Sequence, residues 1–149
     1  MNNEVCVKFV RLNEHAILPK FNIIDPLTGD AGADVYSVEE CTILPQNSQI
    51  VNIGLQLGYI TPGYWFRIYP RSGIGFKYGI QPHLGTIDPQ YRGNMGIKLY
   101  NFSTTQFHIK SGDRIAQLVF YKLIQPNIMW VDKIEETLRN ANGFGSTGR

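Results

Sequence analysis

The sequence predicts an all-β domain, a barrel or jelly roll with one short helix. Apolar residues recur with a period of two along several short runs, turn-forming residues separate those runs, and the best helix candidate is only seven residues long. A chain of 149 residues makes one domain, able to bury roughly two-thirds of its unfolded surface.

Taken in order, Val5, Val7 and Phe9 alternate with Cys6, Lys8 and Val10, the pattern of a strand. Val51, Ile53, Leu55 and Leu57 form a second alternating set, Tyr64, Phe66 and Ile68 a third, and Met95, Ile97 and Leu99 a fourth. Ile115 to Leu123 is mostly apolar and rich in β-formers, which predicts a strand buried on both faces. Asp25-Pro26, Thr28-Gly29-Asp30, Leu44-Pro45, Thr61-Pro62-Gly63, Ser111-Gly112-Asp113 and Gln125-Pro126 mark turns. Ser72 to Tyr78 is the first helix candidate, held to one or two turns by Gly73 and Gly75, and Lys133 to Arg139 is the second. The domain is expected over residues 1–139. Residues 140–149 hold Gly143, Gly145 and Gly148 and do not fold unaided, because glycine loses the most backbone entropy on ordering. They read as a free terminus or as a flap that orders over a ligand.

Composition removes several classes of function. The net charge is +2 with no basic run, so no nucleic-acid footprint is expected. Cys6 and Cys41 are too few for a disulfide framework or a cysteine zinc site. No apolar run approaches the ~20 residues that span a bilayer, and the start lacks the apolar core of a signal peptide. A reducing cytoplasmic or nuclear setting is expected. His15, His83 and His108 show no metal-ligand spacing. His108 should face solvent, while Trp65 and Trp130 should pack.

The remaining signals suit a phosphorylated ligand. In Pro70-Arg71-Ser72-Gly73, a helix opening at Ser72 would offer free amides to an anion, Gly73 would admit a phosphate closely, and Arg71 would add charge. The bland alternative is a serine N-cap beside a surface arginine. In Gly85-Thr86-Ile87-Asp88-Pro89-Gln90-Tyr91-Arg92-Gly93, Asp88 would activate water as a general base, and Tyr91 would press on a sugar and leave no room for a 2′-hydroxyl. The alternative there is an ordinary turn with Asp88 as its acceptor. Asp34 would hold a metal ion through water or simply end a strand. Gln117 shares a face with Ile115 and Val119 and needs a partner, either a phosphate or the backbone. In the tail, Phe144 would stack on a base, Ser146 and Thr147 would bond phosphate oxygens, and Arg139 would neutralise a polyphosphate.

The order of these motifs resembles that of the homotrimeric dUTP diphosphatases, the dUTPases. The resemblance rests on Ala31 through Ser37, Pro70 through Gly73, Gly85 through Gly93, Gly112 through Leu118 and Arg139 through Gly148. It implies a β jelly roll assembled as a trimer, with active sites shared between chains and the tail of one chain closing over a site built by two others. It implies Mg²⁺-assisted attack of water on the α-phosphorus of dUTP, giving dUMP and pyrophosphate. That reaction would keep uracil out of DNA and supply dUMP for thymidylate synthesis. By position, Asp88 would activate the water and Tyr91 would hold the deoxyribose, with Gly85 and Ile87 in the substrate-binding hairpin Ile80–Gly93. Arg71, Ser72, Gly73 and Gln117 would hold the phosphates and Asp34 the metal through water. Phe144 would stack on uracil, and Arg139, Gly145, Ser146 and Thr147 would clasp the γ-phosphate end.

The chain departs from the family pattern at Gln81-Pro82-His83-Leu84, at Pro89 and Gln90, and at Asn140 and Asn142, where glycines are usual. Asparagine is the residue after glycine that best tolerates positive φ. Two rival readings are a dCTP deaminase on the same scaffold and a nucleotide-dependent regulatory protein. The first needs a glutamate in the stretch from Ile80 to Gly93, and there is none. Nothing in the sequence marks a partner surface for the second.

Overall fold

Antiparallel pairing of alternating strands organises the chain into two four-stranded sheets. A computed structural model describes residues 4–143, Gly145 and Gly148. The strands are β1 (Val7–Arg11), β2 (Gly32–Tyr36), β3 (Cys41–Ile43), β4 (Ser48–Ile60), β5 (Tyr64–Tyr69), β6 (Ile80–Pro82), β7 (Thr86–Ile87), β8 (Asn94–Asn101), β9 (Phe107–Ile109) and β10 (Arg114–Lys122), with helix α1 (Ser72–Tyr78) between β5 and β6. One sheet has the order β1-β4-β8-β6, the other β2-β10-β5-β7, and β3 pairs with β9.

The period-two residues meet between the sheets. Val51, Ile53, Leu55 and Leu57 of β4 and Met95, Ile97 and Leu99 of β8 join Phe66, Ile68, Ile115 and Leu118 in one buried cluster. Each such side chain contributes about 1.5–3 kcal/mol on leaving water. Phe66 is fully buried, with its ring 6.2 Å from Phe9 and 5.4 Å from Phe120. Long β4 lies between two partners. Residues 48–52 and Gln56 pair with β8, residues 55–57, 59 and 60 pair with β1, and the β8 register breaks between Asn52 and Gln56. Gly54, at φ 67°, makes that bend; a side chain there would press on Asn13, Val38 and Ala16.

The sequence located β4, β5, β8, β10 and α1. β10 is buried on both faces only from Ile115 to Leu118; Tyr121 and Lys122 are exposed. Three expectations fail. Lys133–Arg139 forms no helix. Trp130 is fully exposed at 101% rather than packed. The stretch from Ile80 to Gly93 is not a self-paired hairpin, because β6 finds its partner in β8 and β7 finds its partner in β5, in different sheets. Residues 123–139 follow β10 as an exposed arm, tied to the body where Leu123 N donates to Gly63 O at 2.7 Å. No helix among the described residues is long and apolar enough to cross a membrane.

Phe66→Ala should lower unfolding free energy by about 3–5 kcal/mol in urea titration, because it removes a ring that nothing nearby can replace.

Candidate active site

β10 is the strand that gathers one half of the site. It pairs with β2 on one side, setting Gln117 opposite Asp34, and with β5 on the other, setting Gln117 opposite Tyr69. The chain leaves β5 through Pro70 and Arg71 into α1, so the end of β5 delivers Arg71, Ser72 and Gly73 beside Gln117. Arg71 is the N-cap, with extended backbone at φ −88° and ψ 130°; Ser72 is the first helical residue and makes no side-chain cap. The serine N-cap alternative is therefore wrong by one position, and the first amides of α1 have no helical acceptors of their own.

Asp34 is 4% exposed and holds Arg71 in place, accepting from its Nε at 2.9 Å on Oδ1. Its Oδ2 has looser neighbours, Asn22 Nδ2 at 3.3 Å and Arg114 Nη1 at 3.6 Å. This is the site's charge logic. A nearly buried carboxylate compensates Arg71 through Nε, and among the described residues no hydrogen bond uses the terminal guanidinium nitrogens. Gln117 donates from Nε2 to the Pro70 carbonyl at 2.9 Å, so its first partner is backbone. Its carboxamide lies across Gly32, where a Cβ would collide with it. A cavity of about 260 Å³ lies over these groups, lined by Asn22, Asp30, Arg71, Ser72, Gly73 and Gln117. A second, of about 270 Å³, shares Arg71, Ser72 and Gln117 and reaches Gln81 and Phe76. A Cβ on Gly73 would meet nothing within 4 Å, so only an occupant of the cavity would object to one.

Asp88 and Tyr91 lie elsewhere. They line a separate cavity of about 760 Å³ with Ile60, Pro62 and Leu123. Asp88 is exposed and its carboxylate has no bond to any described residue, while its carbonyl accepts from Tyr91 N at 3.0 Å. Tyr91 lies over Gly93 and donates its hydroxyl to Asn94 O at 3.1 Å. Gly85 accepts from Ile68 N at 2.9 Å, and Ile87 pairs with Phe66. That register explains the separation. Asp88 comes level with Trp65, and Tyr69 lies four residues away, about 13 Å along the strand, before the chain even turns toward Arg71. One chain does not bring Asp88 and Tyr91 to Arg71, Ser72, Gly73 and Gln117.

The described residues of the tail join neither group. Arg139 is exposed and donates to the carbonyl of Asn142. Asn140 adopts φ 45°, the left-handed conformation expected of asparagine at a position where glycine is usual, and exchanges two hydrogen bonds with Thr137. Gly145 has φ 89°. Phe144, Ser146 and Thr147 lie outside the described residues.

The residues that sequence reading missed are Asn22, Asp30, Gln81 and Arg114. Arg114 stood within a recognised motif without a role of its own. Asn22 and Asp30 gave no signal, because a loop whose acid accepts two backbone amides, those of Asn22 and Ile23, looks like any turn until folded. Gly32→Ala should leave the fold intact by circular dichroism yet weaken pyrophosphate binding about tenfold in calorimetry, since Gln117 must move. An unchanged affinity would show that the Gln117 carboxamide has no part in anion binding.

Comparison with known proteins places the chain as a whole. The family model described as dUTPase matches residues 21–148. The deoxyuridine 5'-triphosphate nucleotidohydrolase of Mus musculus is 39% identical over 143 residues, covering 96% of this chain and 85% of that protein. The enzyme of the same name from Fowlpox virus is 46% identical over 121 residues, covering 79% and 83%. Among solved structures, a mutant dUTPase of Staphylococcus bacteriophage 80alpha with dUpNHpp superposes with a TM-score of 0.83 at 27% identity, covering 99% of this chain and 100% of that one. With the dUTPase model matching residues 21–148 and relatives 39–46% identical over most of their length, the chain belongs to the dUTPase family.

Proposed function

We propose that the protein hydrolyses dUTP to dUMP and pyrophosphate as a homotrimer whose active sites each combine residues of several copies. The observation that carries this reading is the split site. Asp88 and Tyr91 face one cavity and Arg71, Ser72, Gly73 and Gln117 another, so a single chain holds half of each of two sites. The arm supports it too. Ile124, Ile128, Met129, Trp130, Val131, Ile134 and Leu138 are all exposed along residues 123–138, more apolar surface than a solvated segment keeps. An apolar groove of about 420 Å³ beside Val7, Phe9, Phe21 and Phe120 is open to receive such a segment from a neighbour.

In the assembled site Arg71, the α1 amides and Gln117 hold the phosphates. Tyr91 rests on the deoxyribose and excludes a ribose 2′-hydroxyl. Asp88 accepts a proton from water as the water oxygen bonds to the α-phosphorus. The bond from that phosphorus to the bridging oxygen breaks, and its electron pair leaves with pyrophosphate. Residues 140–149 of a third copy close over the nucleotide, with Phe144 on uracil and Arg139, Gly145, Ser146 and Thr147 at the γ-phosphate. Free Cys6 and Cys41 suit a reducing compartment, cytoplasm or nucleus.

The residues present suit Mg²⁺ held mainly by the substrate. Among the described residues no group of three or more acidic, histidine or cysteine side chains could form a cage. Mg²⁺ commonly takes phosphate oxygens and waters with only one or two carboxylates. Asp34 Oδ2, with only its 3.3 Å and 3.6 Å contacts, keeps capacity to hold the ion through water. Bound Mg²⁺ would supply charge neutralisation of the triphosphate.

The test is product analysis with dUTP, dCTP, dTTP and UTP, each with Mg²⁺ and with chelator. Mg²⁺-dependent dUMP and pyrophosphate from dUTP alone is expected, and dUTP formed from dCTP would overturn the reading. Asp88→Asn should retain nucleotide affinity while kcat falls at least about a hundredfold, the usual scale of a lost general base. Truncation before Asn140 should leave the fold and assembly unchanged and remove most activity; an unfolded product would make the tail structural instead.

A further inference from the structure

Between the pairs Asn52–Gly96 and Gln56–Asn94, β4 spends residues 53–55 where β8 has Met95 alone. This bulge, turned at Gly54, re-aims the side chains on either side of it. Both reach the segment that follows the Asp88 turn. Gln56 is the last β4 residue paired with β8, and its Nε2 donates to the Arg92 carbonyl, beyond that last backbone pair. Asn52 Oδ1 accepts from Asn94 Nδ2 at 3.3 Å. Asn52 is itself held by Glu39, whose Oε1 accepts from its backbone N at 2.9 Å and whose Oε2 accepts from its Nδ2 at 3.3 Å.

The tethered segment is the floor under Tyr91. The ring lies over Gly93 so closely that a Cβ there would collide with it. The Tyr91 hydroxyl donates to Asn94 O at 3.1 Å. Ring and hydroxyl therefore take their position from residues 92–94, which take theirs from β4. The turn itself is closed from within, where Arg92 Nη1 donates to Pro89 O at 2.7 Å and to Tyr91 O at 3.0 Å. Tyr91 is 44% exposed, so core packing does little to fix it, and the hydrogen bonds of its floor must.

We propose that Gln56 is a positioning residue for sugar selection, acting through the Arg92 carbonyl to hold the floor on which Tyr91 lies. The inference rests on the reading of Tyr91 as the face that meets deoxyribose, and goes beyond it by naming what sets that face. Rejection of one added hydroxyl is a matter of clearance. A pocket that merely lacks room for a hydroxyl rejects it only about a hundredfold. A ring free to retreat by about half an ångström would admit ribose while still supporting deoxyribose. Asp88 depends less on this tether, since its carbonyl accepts from Tyr91 N within the turn and its carboxylate has no bond to β4. Gln56 thus governs which sugar is accepted more than how fast the right nucleotide reacts.

The test measures kcat/KM for dUTP and for UTP in full-length wild type, Gln56→Met, Gln56→Glu, Tyr91→Phe and the combination of Gln56→Met with Tyr91→Phe, each shown by thermal melt to be folded at the assay temperature. Met keeps the side chain's length without a donor, and Glu turns an oxygen toward the Arg92 carbonyl. Either change at Gln56 should lower the preference for dUTP over UTP about tenfold, while kcat on dUTP stays within about twofold of wild type. The combination should be no less selective than the worse single variant, because both changes release the same ring. The inference is overturned if a folded Gln56 variant keeps the wild-type preference, if it loses both substrates by the same factor, or if the two losses of selectivity add in full. Should Gln56→Met fail to fold, Gln56→Glu decides. A wild type that hydrolyses dUTP and UTP alike would overturn the sugar reading of Tyr91, and one inert on both would overturn the hydrolase reading. Each differs from a selective enzyme indifferent to Gln56.

Discussion

The ion pair between Asp34 and Arg71 is the interaction on which the Arg71 half of the candidate site depends. Asp34 sits on β2, Arg71 at the exit of β5, and β10 lies between those strands, so the pair fastens across the middle of a sheet. A carboxylate so nearly buried must be compensated. Arg71 compensates it through Nε, which leaves the remainder of its charge toward the cavity. Gln117 repeats the economy from the central strand, with one amide hydrogen on the Pro70 carbonyl and the rest of the group beside Arg71 and Ser72. Arg71 and Asp30 are the two charged side chains lining the cavity, so Arg71 is held in place before any ligand arrives, the condition under which fixed charges are most effective.

The same sheet separates what the reaction must join. Because β7 runs antiparallel to β5, every residue from Gly85 toward Tyr91 moves away from Arg71. Strand direction, and not loop flexibility, keeps the Asp88 carboxylate apart from the Arg71 cavity within one chain. The proposed trimer would resolve this by symmetry, with a rotated copy presenting its Asp88 turn where the first presents Arg71. The exposed arm and the open apolar groove are the complementary surfaces such an assembly would use.

Two glycines of this chain mark the close approach of a side chain rather than a turn. Gly32 makes room for the Gln117 carboxamide and Gly93 for the Tyr91 ring, both side chains to which a substrate contact is proposed. Gly73 differs, since the folded chain leaves its neighbourhood open.

By itself the sequence determined the all-β class, the strands β4, β5, β8 and β10, the helix at Ser72–Tyr78, and the motif residues at both half-sites. Those signals are local: period-two alternation survives in the one-dimensional pattern, and a short motif keeps its spacing whether or not it is folded. Even the left-handed Asn140 was legible, because the preference belongs to the residue. Tertiary structure decided what depends on pairing between distant segments. It put β6 and β7 in different sheets, left Trp130 outside the body, gave Asp34 to Arg71, and added Asn22, Asp30 and Gln81 to the cavity. It also brought Gln56 to the Arg92 carbonyl, a contact invisible until β4 and β8 are laid side by side. A side chain on a strand carries no record in the sequence of which neighbour it will meet, because register between strands is fixed by the core they bury together.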